Sequence, residues 1–511
     1  MKTVLMLAAV VAVSAVSVAA VEVASPFSDG MVLQRGMKVP VWGWAEPGES
    51  VTVAFRGVSR TAKADANGRW RVYLPPMEAS KERRELRAGD RVVRDVVVGE
   101  VWYCSGQSNM ALPLVGGNPR GRDRNGSLVA QTTVRPFIRY AHVKTGVKTR
   151  PQERSAEPVV WKPFTPENLR DGISAVAFYY ALELYGALDI PIGLVGVYRG
   201  GSRLEPWVPN EGFRAVPGLE AFADYRPVEG KEFSKDALLA LCPTIIKSHL
   251  STIFQPSVHW NAMVEPWAPY AARGMIWYQG EANAADGDIY ALKMRALLKG
   301  WAMRFENPGF RLYFVQLAPN GAGPVALQEV QQRFADEEPN AAIAVISDLG
   351  NNSDIHPNEK EFVAKRLAVH ALKRDYGFKD AKDESPAFES WRADGAKAVV
   401  RFRNAESLYV YNKDFSGWAN FELSGADGAW KAAKIANLKK RKWSNGKEFV
   451  SGEVEGGAEI VLEADGVAEP KGVRYMHSRP WTGTVYNEVN LPLGPFHSMS
   501  SAQGAGMGAA R

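Results

Sequence analysis

Cysteine is almost missing from this chain: Cys104 and Cys242 are the only two in 511 residues. That excludes a disulfide scaffold, and no Cys/His spacing of the zinc-binding kind occurs. Cys104 lies in an apolar run and reads as a buried thiol, and whether it pairs with Cys242 stays open at the level of sequence. Strong charge of one sign is missing too. The formal net charge is +6, basic residues are scattered, and the one dense run, Lys439 to Lys442, reads as a solvated loop or strand edge. No recognition module for nucleic acid is present, so no such partner is expected. Neither a P-loop nor a dinucleotide fingerprint follows a first strand, and no Gly-x-Ser-x-Gly elbow occurs. No cofactor and no metal are expected.

Long apolar runs are confined to the N terminus. Met1-Lys2 precedes an apolar stretch from Val4 to Ala20 that ends in small residues. This is the form of a secretory signal peptide, residues 1–20, cleaved near Ala20. It is short for a membrane span and has no basic flank on its far side. The mature chain is therefore expected to be exported, periplasmic or extracellular, with no membrane span.

What is present sorts into three stretches, as the length requires. Residues 21–95 hold short strand-like pieces between Pro-Gly and Asn-Gly turns, the pattern of a small β domain. From Val96 strands alternate with helices. Strands are expected up to Cys104 and over Ile192–Tyr198, Gly274–Tyr278, Arg311–Gln316 and Ala342–Ile346. Helices are expected over Ile173–Leu188, Ile289–Phe305, Leu327–Glu338 and Asn358–Tyr376, with Pro357 well placed for the first turn of the last. This predicts an α/β fold: a three-layer α/β/α core with a five-stranded parallel sheet over 96–382, carrying an insertion at about 207–255. A second β domain is expected at 383–498 and a loose tail at 499–511, so the core is flanked by β-sandwich-like domains.

Ligands of such sheets bind outside the carboxyl ends of the strands. Four polar clusters follow strands there, and parallel strands bring all four to one edge: Ser108, Gly200-Gly201, Asn283 and His356. The set suits acyl transfer. Ser108 can be the nucleophile and His356 its base. The N–H of Ser108, an N–H of Gly200 or Gly201, and the Asn283 amide can receive the oxyanion. Asp354 lies two residues before His356 and is the first candidate to orient it. Asp348, Glu281 or a backbone carbonyl are alternatives. Among seven histidines, His356 alone combines a strand end, a nearby acid and a following helix.

At these residues the sequence resembles the sialate O-acetylesterase family of the SGNH (GDSL-like) hydrolase superfamily. Gly106-Gln107-Ser108-Asn109-Met110 is similar to its first block and Gly200-Gly201-Ser202 to its Gly-Gly-Thr. Trp277-Tyr278-Gln279-Gly280-Glu281-Ala282-Asn283 is similar to its third block, and Asp354-Ile355-His356-Pro357 with Lys360 to its last. The resemblance implies a metal-free serine esterase acting on O-acetylated sialic acid, or, as in related esterases, on acetylxylan or another acetylated glycan. It makes Gln107, Gln279 and Glu281 candidate substrate contacts. Two positions depart from the pattern. The superfamily often has its acid three residues before the histidine, where this chain has Ser353. The family often has Trp before the Gly-Gly pair, where this chain has Arg199, whose guanidinium suits a sialate carboxylate. Arg120, Arg122 and Arg124 are further candidates to rim an anionic site. A glycan-binding scaffold without catalysis is the rival reading.

Overall fold

The computed structural model describes residues 21–116, 122–320, 325–350, 354–412, 420–442, 448–478, 481 and 483–499. The expected signal peptide and all but the first residue of the expected tail lie outside these.

One long strand, β1 (Arg91–Gly106), joins the N-terminal region to the α/β region. Its first half pairs antiparallel with Ser80–Ala88 and parallel with Val32–Gln34. Its second half is the centre of a parallel sheet. Around it lie β2 (Arg135–His142), β3 (Trp161–Phe164), β4 (Ile192–Tyr198), β5 (Gly274–Tyr278), β6 (Arg311–Val315) and β7 (Ala341–Ala344), in the order β3-β2-β4-β1-β5-β6-β7. All neighbours are parallel except the edge pair β3-β2. The five expected strands therefore gain a sixth parallel one, β2, inside a stretch read from sequence as loop. Arg135, Pro136 and Arg139 break its apolar pattern. Arg139 is nevertheless 1% exposed, because its guanidinium donates to Gly30 O, Asp95 O and the Asp95 carboxylate.

The same device marks the midpoint of β1. Glu100 is fully buried, and its carboxylate accepts from Gln34, Arg35 and Arg273. The strand that sequence placed from Val96 thus begins at Arg91, and one apolar cluster runs from the N-terminal strands into the α/β layers.

The helices start and stop where backbone chemistry dictates. After the single turn α1 (Ser108–Ala111) and two short helices at Gly126–Thr132 and Pro166–Leu169, the first long helix is α2 (Ala175–Leu188), opened by the Ser174 side chain accepting from Ala177 N–H. Next are α3 (Ile289–Arg304), α4 (Val325–Glu337) and α5 (Lys360–Tyr376). Gly377, at φ +82°, closes α5 in a left-handed cap. This helix begins at Lys360, not Asn358, so Pro357 is outside its first turn. Asp354 accepts from the His356 backbone N–H and holds 354–357 out of helical geometry.

The insertion after Trp207 folds into short helices on α3. Gly212 packs on the α3 backbone, where a Cβ would lie 2.3 Å from Ala296 O. Beyond α5, antiparallel strands form three four-stranded sheets around a separate apolar cluster. They include Lys397–Arg403, Leu408–Asn412, Phe421–Ser424 and Glu459–Glu463. The basic run falls in the strand Leu438–Lys442, which pairs with Glu448–Val454. Among the described residues, no helix is long and apolar enough to cross a membrane.

Candidate active site

The carboxyl ends of β1, β4 and β5 meet at Gly106. Tyr198 and Tyr278 both pair with it. Gly106 has φ +136°, and a Cβ there would lie 2.2 Å from Tyr278 O, so only glycine lets the chain turn out of the sheet at this point. Gln107 N–H then donates to Tyr278 O at 2.9 Å, and Ser108 follows on α1, partly exposed.

Ser108 Oγ lies 2.9 Å from His356 Nε2. On the other side of the ring, Nδ1 lies 2.8 Å from Asp354 Oδ1. A carboxylate accepts only, so Nδ1 carries the proton and Nε2 accepts from the serine hydroxyl. Of the three acids considered from sequence, Asp354 is the one on the ring. Asp348 is bound through both oxygens by Arg366 at 2.7 Å. Glu281 Oε1 accepts from Asn109 Nδ2 at 2.7 Å, and burial raises its carboxyl above the ordinary range. Ser353 lies outside the described residues.

Gly200 and Gly201 arrive from β4. Arg199 N–H donates to Gly106 O at 3.1 Å, and a Cβ on Gly200 would come within 3.9 Å of Ser108 Cβ. The bare Gly200 backbone therefore flanks the serine. The Arg199 side chain is half-buried, and burial lowers its pKa. Among the described residues no carboxylate pairs with it. Arg124, by contrast, pairs with Glu359 at 2.9 Å, and Arg120 lies outside the described residues.

Asn283 does not join this group as an oxyanion donor. It is 1% exposed, and its Nδ2 donates to Asp286 Oδ2 at 2.8 Å and to both oxygens of Glu205. Its Oδ1 accepts from Leu204 N–H and Gln279 Nε2. Both amide hydrogens are spent on buried carboxylates. Those belong to a four-charge cluster under the site: Arg203 and Lys293 each bridge Glu205 and Asp286, at 2.6 to 2.9 Å. Burial alone would raise the Glu205 carboxyl, but Lys293 and Arg203 hold it well below the usual range. Sequence reading missed this cluster. Its signal was charge at apolar places, Arg203-Leu204-Glu205 after a strand and Lys293 among apolar residues of a helix.

Gln279 is also interior, not a substrate contact: it is fully buried and donates to Ser202 O and Asn283 Oδ1. Gln107, 3% exposed, accepts from Gly280 and Ala282 N–H and ties the serine turn to the turn after β5. Glu281 and Lys360 share Asn109 between them, Lys360 Nζ donating to Asn109 Oδ1 at 2.6 Å. Both cysteines are free and buried. Cys242 Sγ donates to Glu205 Oε1, while Cys104 is in β1.

No family model matches the chain. A curated sialate O-acetylesterase of Homo sapiens is 28% identical over 437 residues, 76% of this chain and 78% of that one. One of Rattus norvegicus is 28% identical over 456 residues, 78% of this chain and 81% of that one. Among solved structures, a carbohydrate acetylesterase from Xanthomonas citri has a TM-score of 0.76 at 28% identity, covering 94% of this chain and all of that one. Four blocks carried the resemblance in sequence, and these relatives extend it over most of the chain: the protein is an esterase, similar along most of its length to sialate O-acetylesterases.

Proposed function

We propose that the chain is an exported serine esterase with an SGNH-type core. It removes O-acetyl groups from sialic acids or related glycans through an acetyl-serine intermediate. The observation that carries this is the unbroken line Ser108 Oγ, His356 Nε2, His356 Nδ1, Asp354 Oδ1, at 2.9 and 2.8 Å.

Ser108 Oγ attacks the acetyl carbonyl carbon as His356 Nε2 takes its proton. The oxygen that becomes negative is received by the N–H of Ser108 and an N–H of Gly200 or Gly201. Collapse breaks the bond to the sugar oxygen, which leaves with the proton from His356. Water then attacks the acetyl-serine, giving its proton to the same nitrogen, and acetate departs as Oγ is reprotonated. Asp354 fixes the ring and stabilises the imidazolium formed in each half. The scheme uses no metal.

Arg199 favours an anionic sugar: it directly precedes Gly200, which flanks the nucleophile, and a half-buried guanidinium that pairs with no carboxylate among the described residues suits the carboxylate of sialic acid. The second reading is a neutral acetylated glycan such as acetylxylan, and the likeness to a carbohydrate acetylesterase is compatible with either sugar. Acetate release from O-acetylated sialic acid and from acetylated xylan oligomers, with Ser108→Ala as control, separates them. Release from sialate alone, lost in the variant, is expected. Release from xylan alone overturns the substrate, and release from neither, nor from an activated acetate ester, leaves a glycan-binding scaffold.

A further inference from the structure

Far apart in sequence, Glu329, His477 and His497 converge where the α/β region meets the C-terminal sheets. Glu329 Oε1 lies 3.0 Å from His477 Nε2, and both Glu329 oxygens lie 2.9 Å from His497 Nδ1. One ligand atom from each residue falls within 4.8 Å of the others.

We propose that Glu329, His477 and His497 bind a first-row divalent cation of the zinc type, which pins the C-terminal sheets to the α/β region.

Two imidazole nitrogens and one carboxylate oxygen form a donor set zinc accepts, with water in the fourth place. Tetrahedral zinc with bonds of about 2.0–2.1 Å holds its ligand atoms about 3.3 Å apart. The two histidine–glutamate separations need open by only a few tenths of an ångström. Each ring can place its proton on the nitrogen facing away, leaving the facing one free to coordinate.

The frame is rigid on both sides. Glu329 is on α4, which is tied to the segment just after β6 by Gln328 Nε2 donating to Leu317 O at 2.7 Å. His497 sits in the strand Phe496–Met499, opposite Arg474 in the neighbouring strand Gly472–Tyr475. Met476, at φ +61°, turns the chain out of that strand and delivers His477. The Glu329 side chain is 13% exposed, yet His497 is 54% exposed, so the carboxylate is desolvated while an ion can still enter. The site shares no residue with the Ser108–His356–Asp354 line, so its fate and that of the esterase reading are separable.

The test is calorimetric titration of chelator-treated full-length protein with zinc chloride, beside visible spectra of the protein titrated with cobalt(II). Expected are saturable binding of one ion per chain and the absorption bands of low-coordinate cobalt with nitrogen ligands. Both are lost in His477→Ala and weakened at least tenfold in Glu329→Gln, which keeps the shape but loses the charge. His497→Ala, at an exposed position, should keep fold and esterase activity while losing the cobalt bands. No saturable binding by the wild-type protein, or binding and bands unchanged in the folded His497→Ala and Glu329→Gln variants, would overturn the proposal.

Discussion

Asp354 and His356 are held to each other twice. The same carboxylate oxygen of Asp354 accepts from the His356 backbone N–H at 3.0 Å and faces Nδ1 at 2.8 Å. The first contact sets the turn, and the second sets the tautomer that leaves Nε2 free for Ser108. Asp354→Asn should therefore reduce kcat by about 10²–10⁴, since an amide can donate to Nδ1 and stabilise the wrong tautomer. Steady-state rates on an activated acetate ester check this. A loss below about threefold in folded protein would leave orientation of the ring to some other group.

Asn283 tests the opposite conclusion. As an oxyanion donor its removal would cost about 10²–10³ in kcat. With both amide hydrogens on Glu205 and Asp286, Asn283→Ala should act through stability instead. Leaving buried acceptors short of a donor costs about 1–3 kcal/mol. Urea midpoints should fall while kcat at a temperature of full folding changes less than tenfold.

The four strand-end clusters were legible because parallel strands send their carboxyl ends to one edge, whatever the intervening loops do. The orientation of Asn283 was not legible, because it depends on Glu205, Asp286 and Lys293, charges from three separate elements whose pairing no local pattern announces. Strand β2 was hidden for a related reason. Arg139 looks like a surface residue until Asp95 and two backbone carbonyls are placed around it. Glu329 and its two histidines are 148 and 168 residues apart, so no spacing rule could group them.

Arg199 provides a test of substrate charge. Replacing it by alanine should raise KM for O-acetylated sialic acid about tenfold or more, one charge-assisted contact being worth roughly 1.5–3 kcal/mol. Hydrolysis of a neutral acetylated sugar should be little changed. Equal losses on both substrates would remove the carboxylate contact and leave Arg199 as part of the site's wall.

The two thiols predict insensitivity to reductant. Cys104 and Cys242 are buried and unpaired, and burial pushes both thiols well above the ordinary range. Neither offers a thiolate at neutral pH. Thermal unfolding and esterase activity should be the same with and without dithiothreitol, and a thiol reagent should label native protein slowly. A fall in melting temperature on reduction would show a bridge.

Lys360 makes a prediction in pH. It is fully buried beside Asn109, and burial pushes its ammonium from 10.5 down to about 7, against the pull of Glu281, Asp123, Glu359 and Asp354. The unfolded chain therefore holds a proton that the folded chain has released between about pH 7 and 10.5. Wherever the unfolded state binds more protons, stability rises with pH, here by at most about 1.4 kcal/mol per unit. Below pH 7 both states are charged and the cost of burying the ammonium is felt in full. Lys360→Met removes the titration but strands Asn109 Oδ1. The informative quantity is thus the stability difference between wild type and variant, followed by urea unfolding from pH 6 to 9. It should be level up to about pH 7 and then move in favour of the wild type. A difference level throughout would mean that the Glu281 and Asp354 carboxylates keep Lys360 charged, and the contact with Asn109 would then be a permanent ionic tie behind the nucleophile.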